Sequence, residues 1–174
     1  GQLSEKAALF MAIALFVGAV SSCFLLSWKL ALVASAYAIM NLGYSLGLKR
    51  IAVLDVLIIA GGFLLRVAAG AFALPVVISP YLLVCTGLLA AMLGFGKRAH
   101  ELRQALDAGR DPLATRPSLK GYSVSALRIV LITLALATLI AYALYSQDGR
   151  TVAAFGTKNL IFTLPFCIFG IFRF

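Results

Sequence analysis

An all-α fold, a multi-span transmembrane helical bundle, is the architecture this sequence encodes. Hydrophobic residues fill 63% of its 174 positions and charged residues only 12%, with a mean hydropathy of +1.04. That is far from the roughly half-apolar make-up of soluble domains. The apolar residues collect in runs of about 17 to 23, the length a helix needs to cross hydrocarbon. The polar breaks between the runs hold no soluble domain, which leaves a single membrane domain over residues 1–174.

The spans follow in order at 7–27, 30–47, 52–73, 80–96, 124–145 and 159–172, of which the last is short. The first opens after Lys6 and runs span-length with no small-residue cleavage site ahead of a soluble domain. It reads as a helix that stays in the bilayer, not as a signal peptide. Ser27, Trp28 and Lys29 make a tight polar link to the second span, Pro75 and Pro80 bracket the turn before the fourth, and Gln147-Asp148-Gly149-Arg150 is a turn sequence before the sixth. Residues 97–123 form the long polar segment, expected as a cytoplasmic loop. Within it KRAHELRQALDAGR has helical propensity and mixed charge. It predicts a short helix over the mouth of the bundle, ended by Gly109 and Pro112 and placed like a lid.

Successive breaks alternate sides, so one face receives Lys6, Lys49, Arg50, Lys97, Arg98, Arg103, Arg110, Arg116, Lys120 and Arg173, and the other only Lys29, Arg150 and Lys158. Ten basic residues against three place the first face in the cytoplasm. This sidedness also accounts for most of the formal charge of +9, which excludes nucleic acid as the reason for it. Cys23, Cys85 and Cys167 lie inside apolar runs, without zinc-site spacing or polar loops, and read as small hydrophobes.

Topology does not explain Asp55, Arg66 or Glu101. An ionisable side chain in hydrocarbon is costly unless it is paired or faces a polar cavity, so the segment from Gly47 to Gly70 reads as one wall of such a cavity. Asp55 and Arg66 are eleven residues apart, close to the same helix face but about 16 Å apart along the axis. Asp55 would neutralise Lys49 or Arg50, serve as a buried structural acid, or accept a proton or a metal-bound water. Arg66 suits a phosphate or carboxylate, or pairs with an acid on another helix. Asn41, Tyr44, Lys49 and Arg50 gather an amide, a phenol and two cations at the cytoplasmic end of the second span. They fit a diphosphate-bearing ligand or simply anchor the helix end.

Lys97, Arg98 and Glu101 open the polar segment beside His100, the sole histidine. Lys97 and Glu101 have the spacing to pair along one helix face. Otherwise Lys97 and Arg98 hold phosphate while Glu101 orients them or a magnesium shell. Arg116, Ser118, Lys120 and Tyr122 form either a second phosphate-facing edge or a basic flank. Gly61, Gly62 and Gly70 permit close helix approach or lower helix rigidity near a ligand.

The segments YSLGLKR at 44–50, LDVLIIAGGFLLRVAAGA at 54–71, GKRAHEL at 96–102 and RPSLKGYS at 116–123 together resemble, in order and spacing, the polyprenyl-phosphate phosphoribosyltransferases of the UbiA superfamily. The resemblance covers nearly the whole chain. It implies nine membrane helices around a cavity open to the cytoplasm and to lipid, of which these residues would carry the third to the eighth. It implies transfer of 5-phosphoribose from phosphoribosyl pyrophosphate to a polyprenyl phosphate, with magnesium as cofactor. Asp55, Lys97, Arg98 and Glu101 then become the expected catalytic group. Asn41, Tyr44, Lys49, Arg50, Arg66, Arg116, Lys120 and Tyr122 become the expected substrate contacts. The main acidic metal motif of the superfamily would lie ahead of residue 1, with Glu101 as a further candidate ligand. An aromatic polyprenyltransferase would need an Asp-rich second cluster, where this chain has GKRAHEL. A carrier of lipid phosphates would use the same cations without transfer. The small-residue faces are also compatible with a homo-oligomer.

Overall fold

The computed structural model describes residues 4–74, 76–111 and 117–173; Pro75, Pro112 and Arg116, named above, lie outside them. Every described segment is helix or connection, with no strand among the described residues. Helical structure occupies each of the six expected spans: α1 (Glu5–Leu26), α2 (Trp28–Leu46), α3 (Leu54–Ala73), α4 (Pro80–Asp107), α5 (Val124–Gln147), and the pair α6 (Gly149–Phe155) and α7 (Leu164–Arg173). Four stretches, Lys6–Leu26, Leu54–Ala73, Pro80–Asp107 and Val124–Gln147, are each long and apolar enough to cross a membrane. The protein is therefore a multi-pass membrane protein. Helix α2 is polar for its length because it carries Ser35, Tyr37, Asn41 and Tyr44.

The helix ends follow local chemistry. Ser4 accepts a hydrogen bond from the Ala7 N–H at 3.3 Å, and Ser123 accepts one from the Ala126 N–H at 3.2 Å; each satisfies an amide that the first turn leaves without a partner. Ser27 alone, in extended conformation, separates α1 from α2. Pro80 opens α4, where its missing N–H costs nothing.

The structure departs from the expected boundaries in two places. The segment from residue 97, expected as a loop bearing a separate short helix, continues α4 without a break as far as Asp107. No glycine or proline intervenes between Gly96 and Asp107, and Ala, Glu, Leu, Arg and Gln all favour helix. The helix stops where Gly109 takes a positive φ of 60°. The sixth span is not one straight helix. Asp148 caps α6 by accepting from the Arg150 N–H at 3.1 Å, Gly156 ends it with φ 68°, and a 3-10 turn at Asn159–Thr163 leads into α7. The two pieces meet at 89°.

Helices adjacent in sequence pack on one another from α1 to α5, and α7 packs against α5. Apolar side chains such as Leu25, Ile39 and Leu57 stay exposed because lipid, not water, is their solvent. Helices α3 and α4 approach each other closely at Gly94. A Cβ on Gly94 would lie 2.6 Å from Cγ1 of Val56, so only glycine lets these backbones meet at that height. Gly94, Arg98, Leu102 and Ala105 form one buried stripe of α4. The glycine thus brings Arg98, one turn on, against α3. Gly61 and Gly62, by contrast, meet Met40 at ordinary contact distance, and Gly70 faces open space.

Candidate functional site

The charged core of the molecule lies where the start of α3 and the C-terminal part of α4 meet the segment before α5. Asp55 and Arg98 are both fully buried, and Arg98 Nε sits 3.3 Å from Asp55 Oδ2. That is ion-pair range, although Nε is out of line for a hydrogen bond. Arg98 Nη1 donates to Glu101 Oε2 at 2.5 Å, one turn along the same helix. One guanidinium therefore serves two carboxylates. The pairing offsets the cost of burying the Asp55 carboxylate and the guanidinium in low dielectric. Asp55 takes its cation from Arg98 on a neighbouring helix, a pairing absent from the expected choices.

Tyr122 closes this cluster. Its hydroxyl donates to Asp55 Oδ1 at 3.2 Å and accepts the Val53 N–H at 2.6 Å. Val53 precedes α3 with φ 66°, a strained conformation for a β-branched residue, costing about 1–3 kcal/mol. The Tyr122 bond helps hold it there. The ring packs edge-on to Phe95 with centroids 6.1 Å apart, beside a buried cluster of Leu102, Leu119 and Leu127. A Cβ on Gly121 would come 2.5 Å from that of Ala52, so this segment is seated tightly on the start of α3. Tyr122, expected at a substrate, is thus occupied by Asp55 and the backbone of Val53.

Burial raises the Tyr122 phenol above its ordinary value of 10.0, and the charge of Asp55 and the hydrogen bond to it add to the rise. The Val53 N–H and Arg98 oppose it. The phenol accordingly stays protonated and remains a donor to Asp55. Because the folded-state value is the higher one, the stability this phenol contributes is complete below pH 10.0 and is lost as pH rises through the folded value. Tyr122→Phe removes both bonds, with an expected loss of about 1–2 kcal/mol. Thermal unfolding in detergent measures this loss. The difference between the phenolate absorbance titrations of the wild type and the variant should be a midpoint above 10.0.

Lys97 and Arg98 leave α4 on different sides, since successive residues turn through about 100°. While Arg98 is sealed against α3, Lys97 lines a cavity of about 720 Å³ between α4, α5 and α7. Met92 and Leu93 of α4, several leucines and alanines of α5, and Ile171 and Phe172 of α7 make its walls apolar. Lys97, His100, Arg103 and Arg128 add polar and basic groups to its lining. The combination accepts a long apolar chain ending in an anion: the walls replace lipid around the chain, and the cations meet the charge. The expected group of Lys97, Arg98 and Glu101 is therefore split between a sealed ion cluster and an open groove. Arg128, one turn inside α5, was not singled out from sequence, although the rule that flags Arg66 as a charge inside a span applies equally to it. Arg103 entered only as a topology signal.

The remaining candidates are apart from this groove. Lys49 and Arg50 lie exposed in a 3-10 turn, Leu48–Arg50, that links α2 toward α3. Lys120 is exposed in the turn Pro117–Gly121, whose Ser118 and Leu119 are buried. Asn41, Tyr44 and Arg66 line a smaller cleft of about 130 Å³ on the α2–α3 face. There the Arg66 guanidinium donates to the Tyr37 hydroxyl and lies over the rings of Tyr37 and Phe63, with centroids 5.1 and 5.3 Å away. Among the described residues no group of three or more histidine, cysteine or acidic side chains is placed to hold a metal ion. Glu101 and Asp55 are committed to Arg98, so the described residues do not fit a magnesium centre.

Several curated relatives align with the chain, among them three that share a name. The decaprenyl-phosphate phosphoribosyltransferase of Mycobacterium tuberculosis is 31% identical over 166 residues, which are 94% of this chain and 54% of that protein. The protein of the same name from Mycolicibacterium smegmatis is 35% identical over 125 residues, covering 70% and 38%. That from Corynebacterium glutamicum is 32% identical over 150 residues, covering 85% and 44%. The chain thus spans about half the length of the curated relatives it matches. No protein-family model matches it.

Proposed function

The chain belongs to the family of the decaprenyl-phosphate phosphoribosyltransferases, and on that premise we propose that the protein transfers 5-phosphoribose from phosphoribosyl pyrophosphate to a polyprenyl phosphate. The observation that carries this reading is the apolar groove headed by Lys97, His100, Arg103 and Arg128. A polyprenyl phosphate is a long hydrocarbon ending in an anion, and the groove offers both environments in that order.

In the proposed reaction an oxygen of the lipid phosphate attacks C1 of the ribose. The bond from C1 to the pyrophosphate oxygen breaks, and its electron pair departs with pyrophosphate. The attacking phosphate is already ionised at neutral pH, so no side chain must remove a proton. The contribution of the protein is position and charge. Lys97, Arg103 and Arg128 hold the acceptor. Asp55, Arg98 and Glu101 act at one remove by fixing the start of α3 and the register of α4.

Magnesium dependence, membership of the UbiA superfamily and an active site on the cytoplasmic face of the inner membrane are parts of the same proposal. So is a role for the product in a lipid-linked pentose for the cell envelope. The described residues supply no metal centre, and no step above runs through one. The test is transfer of label from phosphoribosyl pyrophosphate into a chloroform-extractable product, using membranes that contain the full-length protein and added polyprenyl phosphate. Labelled lipid that appears only with the acceptor present is the expected result. Its absence, beside an active relative assayed in parallel, would sink the proposal.

A further inference from the structure

Arg66 has no role in the site above. It stands twelve residues beyond Leu54 and seven before Ala73 in α3, about 18 Å and about 10 Å from the two helix ends. Its side chain leans toward the N-terminus of its own helix, as helical side chains do, and reaches over Phe63 one turn back. The guanidinium is thereby directed toward the middle of the span, not outward to the nearer interface, so it does not snorkel to water. Among the described residues its polar partner is the Tyr37 hydroxyl, and no carboxylate lies within ion-pair distance. Accepting from Arg66 leaves the Tyr37 hydroxyl with its own proton to donate. An intramembrane guanidinium held by two rings and a phenol, at the edge of a cleft of about 130 Å³, is prepared for an anion.

The depth decides which anion. A lipid headgroup or a free phosphate resides at the interface, whereas a carboxylate on another transmembrane helix sits naturally at this level. The faces of α2 and α3 beside the cleft expose Ile39, Leu42 and Leu57, as a helix-packing surface requires. A second copy of these residues does not provide the acid. All six acidic residues are Glu5, Asp55, Glu101, Asp107, Asp111 and Asp148. Glu5, Asp107, Asp111 and Asp148 stand at helix ends or beyond them, Asp55 is buried on Arg98, and Glu101 is paired with the same guanidinium. We propose that the α2–α3 face seats a further transmembrane helix carrying an aspartate or glutamate, which pairs with Arg66 and Tyr37 inside the bilayer.

The test uses the full-length protein in its native membrane, with p-benzoylphenylalanine replacing Ile59, a residue of the cleft. After irradiation, mass spectrometry should find the adduct on a peptide from an apolar span that contains an aspartate or glutamate. Arg66→Leu, which keeps the span apolar, should lower adduct yield about tenfold, the equivalent of one lost charge pair. Arg66→Lys should retain most of it. Changing the captured carboxylate to its amide should match Arg66→Leu, and exchanging the two charges should restore the adduct. Adducts confined to lipid, a captured span without an acid, or a yield indifferent to Arg66→Leu would each overturn the proposal.

Discussion

Arg98→Met is expected to destabilise the folded protein by about 3–5 kcal/mol, the largest loss expected of a single substitution in the charged cluster, because it removes a buried guanidinium that is paired with Asp55 and Glu101. Asp55 is fully buried, and its cation comes from Arg98. Methionine matches the length of the arginine stem but supplies neither charge nor donor. The double variant Arg98→Met with Asp55→Leu should recover much of the loss, since an apolar pair in that space carries no desolvation cost. Thermal unfolding of the single and double variants in detergent closes the cycle. If the double variant lost as much as the sum of the two single losses, the two residues would not be coupled, and an uncompensated buried charge would not be the source of the effect. Loss of activity in Arg98→Met should follow loss of folded protein, not precede it.

A second large effect is expected at the groove, and it should be of the opposite kind. Lys97→Ala and Arg128→Ala in the full-length protein should each raise KM for polyprenyl phosphate roughly 10- to 100-fold, the worth of one charge-assisted hydrogen bond of about 1.5–3 kcal/mol. Both side chains are exposed at the groove, so unfolding temperatures should hardly change. KM for phosphoribosyl pyrophosphate should hold as well, because the lost contacts belong to the acceptor. Ala135→Trp places bulk among the apolar walls. It should impair transfer to a long polyprenyl phosphate more than to a short one. Steady-state kinetics with acceptors of two lengths separate these effects. Equal losses with both acceptors would assign the groove to something other than the lipid chain.

These two substitutions concern adjacent residues, and their divergence shows where sequence reading stops. Lys97 and Arg98 were grouped because both are basic and both lie at the mouth of the bundle. The turn of α4 by about 100° per residue sends one into the groove and the other against α3. Which of the two faces the neighbouring helix depends on Gly94, whose missing Cβ admits Val56. Nothing in the run of residues marks Gly94 above Gly61, Gly62 or Gly70. Tyr122 likewise reads as one more polar residue before a span until it is found on Asp55, 67 positions away in sequence.

The bundle class and the approximate positions of its helices were determined by the sequence alone. They follow from local quantities: run length against bilayer thickness, glycine and proline at breaks, and caps at helix starts. The charges that deserved scrutiny inside the spans were equally plain, because their cost in hydrocarbon is a property of each residue. Which charge is spent on another, and which remains for a ligand, was decided only by the tertiary structure. Asp55 passes over Lys49 and Arg50 in the expected pairing and meets Arg98, while Arg128 joins Lys97, His100 and Arg103 from a separate helix. Pairing in a low-dielectric interior acts over a few ångströms, and helix rotation and interhelical distance set those ångströms.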